Sequence, residues 1–227
     1  MKWIKSFSKD FERDKSRIEF SHVNWYYLKP SIKDQLLIFE KELKKNGIDV
    51  YFYDYADDKR LVGFDGLNLQ FAESFTGNMR IADTQDKGNE LHTQKGGILA
   101  IIYNETGNID VMILPSKSQD SFGKHTHIIL HHTYNAKTIT AKRIEKYVKA
   151  FIRYHRYTGV LHQSTLTDKL FVRWLKIRMF WIQYLNPNEK FKRYSGLYIP
   201  VLSLLVAFVA AIASILSLVV TLNATGL

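Results

Sequence analysis

Gly97-Ile-Leu-Ala-Ile-Ile-Tyr-Asn-Glu-Thr-Gly-Asn-Ile-Asp-Val-Met-Ile-Leu114 is the stretch on which the fold turns. Two aliphatic runs, 97–103 and 109–114, flank five residues, Asn104 to Asn108, that include Gly107. A loop of that length with a glycine in it joins antiparallel strands. The stretch predicts a β-hairpin, and with it an antiparallel sheet in the middle of the chain. Residues 48–55, 61–71 (interrupted by Gly63 and Gly66) and 124–134 read as further strands.

Helical patterns flank this centre. Pro30-Ser31 predicts a helix start, with Ser31 as N-cap and Asp34 three residues on. Ile32, Leu36, Phe39 and Leu43 then form one apolar stripe, which Gly47 ends. Between 140 and 157, Ile144, Val148, Phe151, Ile152 and His155 share a face, and Lys142, Lys146, Lys149, Arg153 and Arg156 share another. Residues 168–185 are apolar around most of a helix, with Lys169, Arg173 and Lys176 on one narrow face and Arg178 among the apolar positions. That pattern suits a helix lying in a membrane interface and a domain helix equally well. Residues 1–160 therefore predict an α+β domain with helices packed on one face of an antiparallel sheet, and 161–195 a basic, amphipathic, membrane-proximal region.

Residues 196–227 carry no charged side chain, and 197–222 are almost wholly apolar. A helix needs roughly 20 such residues, at about 1.5 Å each, to cross the hydrocarbon layer. The expectation is an α+β soluble domain followed by one C-terminal transmembrane helix at 196–222, with 223–227 as a short external tail. Charge gives the orientation. The chain has 32 Lys+Arg against 22 Asp+Glu, and 14 of those basic residues, against three acids, fall between 135 and 195. Lys190, Lys192 and Arg193 stand just before the apolar run as lipid-facing cations, the arrangement of a cytoplasmic flank. The expected localisation is a single-pass membrane protein with its N-terminal domain cytoplasmic, which in a bacterium means the inner membrane. The N-terminus is too interrupted by charge for a signal peptide, and the absence of cysteine excludes disulfides and thiolate metal sites.

Ser203, Ala207, Ala210, Ser214, Ser217 and Thr221 fall at alternating spacings of four and three, gathering small side chains into one seam. Such a seam lets helix backbones approach closely in lipid, so a homo-oligomer through this helix is expected, with membrane lipids as partners.

The best candidate for chemistry is the histidine cluster. On a strand, His125, His127 and His131 project from one face. Two histidines at i and i+2 can reach one metal ion, but no carboxylate is placed by sequence to complete a site. No metal ligand, catalytic residue or cofactor is therefore assigned, and the three histidines stand as ligand-binding candidates. His131-His-Thr133 resembles the His-x-Thr half-motif of two-histidine phosphoesterases, without a second copy at the required spacing. No phosphate-binding loop, dinucleotide fingerprint or nucleophile elbow is present. The basic stripe from Lys142 to Arg156, interleaved with Tyr147, Tyr154 and Tyr157, suits anionic lipid, nucleic-acid phosphates or plain solvation, and its nearness to the apolar run favours lipid.

A domain without enzyme motifs joined to a self-complementary span resembles the small membrane effectors of bacterial anti-phage defence, of the retron or cyclic-nucleotide type. The resemblance is one of architecture, and it carries over no functional residue. It implies an effector or sensor whose membrane helix self-associates and perturbs the membrane, with a regulatory protein or nucleic acid from the same operon as partner. The alternative is a membrane-tethered enzyme or ligand-binding protein, directed at a phosphate or nucleotide and centred on His125, His127 and His131.

Overall fold

The computed structural model describes residues 2–55, 64–80, 90–121, 123, 125–181, 203–204 and 206–214. Its contacts divide the chain into Met1–Ile182 and Gln183–Leu227.

In the first unit, helix α1 (Lys2–Lys45) leads into strands β1 (Val50–Asp54), β2 (Phe64–Phe71), β3 (Ser74–Arg80), β4 (Glu90–Lys95), β5 (Ile98–Asn104), β6 (Ile109–Leu114), β7 (Lys117–Ser118) and β8 (Ile128–Thr133). A 3-10 turn at Ala136–Thr138 precedes helices α2 (Ala141–Thr158) and α3 (Leu166–Trp181). Five strands form an antiparallel sheet in the order β1-β2-β5-β6-β8, and β3-β4-β7 form a second. The expected hairpin is β5–β6, registered Ile98↔Leu114 to Tyr103↔Ile109. Gly107 closes its turn at φ +80°, where a Cβ would also crowd Ile18 of α1.

The α+β expectation holds. Leu67, Leu69, Leu99, Ile101, Val111, Ile113 and Ile128 project from one face of the larger sheet and share a core with Leu36 of α1, Phe151 of α2 and Val172 of α3. Lys29 of α1 reaches Asp54 of β1 at 2.8 Å and Asp65 of β2 at 2.6 Å, an ion triad that pins helix to sheet. Burial opposes its charge, but the two carboxylates outweigh that and raise its pKa.

Two expectations are corrected. Ser31 does not open a helix: α1 runs through Pro30 without a break. A proline in a helix leaves the carbonyl four residues earlier without its donor. Here that is Tyr26, whose exposed position lets water replace it. The second correction concerns the transmembrane helix at 196–222. Among the described residues no helix is long and apolar enough to cross a membrane. Residues 203, 204 and 206–214 are helical. The rest of that stretch, and 223–227, lies outside the described residues.

Candidate functional site: a cationic groove between two helices

α3 docks on the edge of the larger sheet, and the manner of docking creates the site. β8 is an edge strand, and its pairing with β6 skips a residue: Val111 faces His131 while Met112 faces Ile129. Leu130 is the extra residue of this bulge. Arg178 Nη2 donates to the Leu130 carbonyl at 3.1 Å, and Met179 Sδ accepts from the Ile129 amide at 3.4 Å. These bonds explain why an arginine sits on the apolar side of α3. They also cover an edge that would otherwise expose unpaired backbone groups.

The start of α3 is fixed by a capping box. Thr165 Oγ1 accepts from the Asp168 amide at 3.2 Å, and Asp168 Oδ2 accepts from the Thr165 amide at 3.1 Å and hydroxyl at 2.8 Å. Burial works to raise the Asp168 pKa, but the Thr165 bonds, with Arg156 at 3.5 Å, bring it below the usual carboxylate value.

Between α2 and α3 lies a groove of about 1250 Å³, floored by Leu130, His131, Tyr147 and Leu175. Six cationic residues line it, Arg143, Lys146, Lys149, Arg153, Arg156 and Arg178, against one carboxylate, Asp168. Phe171 and Trp174 supply aromatic rings along the α3 wall. Arg153 stacks over Phe171 at 4.8 Å from its centroid and Arg178 over Trp174 at 5.6 Å. Lys149 is held by Glu145 at 2.5 Å, whereas Lys146 forms no ion pair among the described residues. Like charges at this density repel one another, and a bound anion would relieve the repulsion through charge-assisted hydrogen bonds.

His131 is the one histidine of the expected cluster that reaches this groove. Its Nε2 accepts from Arg143 Nη1 at 3.0 Å and lies 3.1 Å from Thr138 Oγ1. Burial, then Arg143, Arg178 and His132, push its pKa down to about 4. The ring is therefore neutral near pH 7, with its proton on Nδ1, because a guanidinium can only donate. A metal ion would have to displace Arg143 from that nitrogen, so His131 acts as a post for Arg143. The Tyr147 hydroxyl beside it is buried and meets no partner at hydrogen-bonding geometry among the described residues. Burial raises its pKa, and the nearby Arg143 partly offsets that.

The other two histidines do not join His131. β8 begins at Ile128, so His125 and His127 precede the strand and escape its alternation. The Tyr154 hydroxyl donates to the Thr126 carbonyl and ties this segment to α2 instead. His125 packs edge-on to Tyr157 at 5.4 Å, and burial, then Lys176, lowers its pKa. His127 is exposed. Among the described residues no group of three or more His, Cys, Asp or Glu is placed to hold a metal ion.

Besides His132, whose Nδ1 lies 2.6 Å from Asp110 Oδ1, two further histidines have partners that the sequence did not disclose. His155 Nδ1 accepts from the Gly97 amide at 3.3 Å and lies 2.8 Å from Ser116 Oγ, in a buried knot that fastens α2 to the sheet. His92 Nδ1 lies 2.7 Å from Asp120 Oδ1 on the smaller sheet. The signal for both was long-range pairing, which spacing along a chain does not carry.

In the second unit, Ser203, Ala207, Ala210 and Ser214 lie in helical segments and are exposed. Ser214 Oγ donates to the Ala210 carbonyl at 2.9 Å, so that hydroxyl bonds back to its own helix. Ser217, Thr221, Lys190, Lys192 and Arg193 lie outside the described residues. Comparison of the chain with protein-family models, with curated proteins and with solved structures finds no match.

Proposed function

We propose that the protein binds a phosphate-bearing ligand with a planar ring, a nucleotide, in the groove between α2 and α3. The observation that carries this reading is six Lys and Arg side chains around one cavity with a single carboxylate, beside the exposed ring of Trp174. Arg143 and Arg178 are pre-oriented for phosphate oxygens by His131 and the Leu130 carbonyl, and a guanidinium offers paired donors in a fixed fork. Lys146 adds a mobile point charge, and Trp174 a surface on which a base can stack. The reading is one of binding rather than turnover. The hydroxyls of the groove's rim, Thr165 and Thr167, bond each other at 2.8 Å, and Thr165 also serves the α3 cap.

A nucleotide site accords with the phosphate-directed alternative read from the sequence, moved from the histidine cluster to the groove that contains His131. In an anti-phage setting, which rests on resemblance alone, the groove would serve as the sensor. Isothermal titration of the full chain with nucleoside triphosphates, against inorganic phosphate, tests the reading. Binding that weakens with added salt and is lost in Lys146→Glu supports it, and triphosphate binding unchanged by Lys146→Glu overturns it.

A further inference from the structure

α1 outruns the domain it belongs to. From Ile18 onward its inner face meets protein: Ile18 and Ser21 crowd Gly107 of the β5–β6 turn, and Trp25, Ile32 and Leu36 are buried. Towards its N-terminus the same stripe continues with its side chains exposed. Ile4, Phe7 and Phe11 are spaced three and four apart, in line with Ile18, Trp25 and Ile32, and Trp3 packs edge-on against Phe7. Trp3 is 62% exposed, Phe7 57% and Phe11 73%. Single exposed apolar residues need no explanation, but an aligned aromatic patch marks an interaction surface.

The opposite face is basic. Lys5, Lys9 and Arg13 follow one another at four-residue steps, and Ser16 continues the line. Residues 2–17 hold six Lys and Arg against three acids. Two of those acids, Asp10 and Asp14, are engaged locally by Arg13 at 3.1 Å and Arg17 at 3.5 Å. We propose that the first turns of α1 form an arm that lies along an anionic lipid surface, with Trp3, Phe7 and Phe11 among the acyl chains and Lys5 and Lys9 at the phosphates. A cationic helical segment with aromatic side chains on its apolar face is the kind that binds such a surface. A second copy of the chain is the poorer occupant. Asp14 interrupts the stripe between Phe11 and Ile18, and paired helices need apolar positions sustained over several heptads. The proposal is independent of the groove.

The chain contains no cysteine, so an environment-sensitive dye can be placed at one position of the full chain. The two sites are Phe7→Cys on the apolar face and Ser16→Cys on the polar one, each studied with phosphatidylcholine vesicles with and without phosphatidylserine. The expected result is a blue shift at position 7, and none at 16, that appears with the anionic vesicles and fades in high salt. Phe7→Glu with Phe11→Glu is expected to cut vesicle binding of the arm about tenfold, with the helical circular dichroism signal kept because neither side chain supports the core. A dye at position 7 that stays water-exposed on anionic vesicles overturns the proposal. So does one already shielded before vesicles are added, an outcome that would identify a second copy as the occupant.

Discussion

His131, half-buried, and His155, buried, are neutral rings, each with its pKa pushed to about 4, chiefly by loss of solvent. A histidine in the unfolded chain titrates near 6.5. Between those values the unfolded state holds more protons, so stability rises with pH across that window and is lost as pH falls from about 6.5 towards 4. Urea unfolding midpoints are expected to drop steeply from pH 7 to pH 5, and His155→Gln should flatten the slope. Lys29 makes a second prediction. Replacing it with Met leaves Asp54 with Lys33, and Asp65 with Trp25, as partners. Because these groups are partly solvated, the loss should be about 2 kcal/mol, below the range for a fully buried pair. Of the candidate site, His131 was legible in the sequence as a polar residue on a strand. Its partner Arg143 was legible only as one cation of a stripe. That they meet depends on the bulge at Leu130, which no spacing announces.

Among the elements, β5 and β6 followed from two aliphatic runs around a glycine-containing loop, both strands burying consecutive residues, and α2 from periodicity, because it buries one face in the core. α1 was misread at Pro30, since a local rule for helix starts lost to tertiary packing: the stripe on both sides of the proline is held by the same sheet and turn. β3 and β4 gave no alternation to read. Ser74-Phe-Thr-Gly-Asn-Met-Arg80 buries no side chain fully, and its sheet lies largely in solvent. α3 was ambiguous between membrane and domain. Val172 and Leu175 pack one side of it into the domain core, while Leu166, Leu170, Trp174 and Ile177 stay exposed. Thr165→Ala should cost about 1 kcal/mol by removing the α3 cap. In a chain of this size the melting temperature should fall by roughly 3 °C. A larger loss, with α3 amides exchanging quickly, would show that Thr165 also holds the α2–α3 junction.

At the scale of the molecule, charged groups drawn out of solvent, such as Lys29 with Asp54, and Asp168, are tied to partners. The larger sheet and the inner helix faces form one apolar core, and among the described residues six cations of α2 and α3 line the groove between them. The uncharged run that suggested a membrane-spanning helix finds no such helix among the described residues. The weight of the functional account therefore rests on the first unit and its groove. The chain has four tryptophans, and the groove is lined by one of them, Trp174. Titration of the ¹⁵N-labelled protein with ATP, followed through the indole N–H signals, tests the central claim most directly. The expected result is a saturable shift of the Trp174 signal while those of Trp3 and Trp25 stay still. A Trp174 signal unmoved at concentrations where calorimetry detects binding would place the ligand elsewhere and contradict the account.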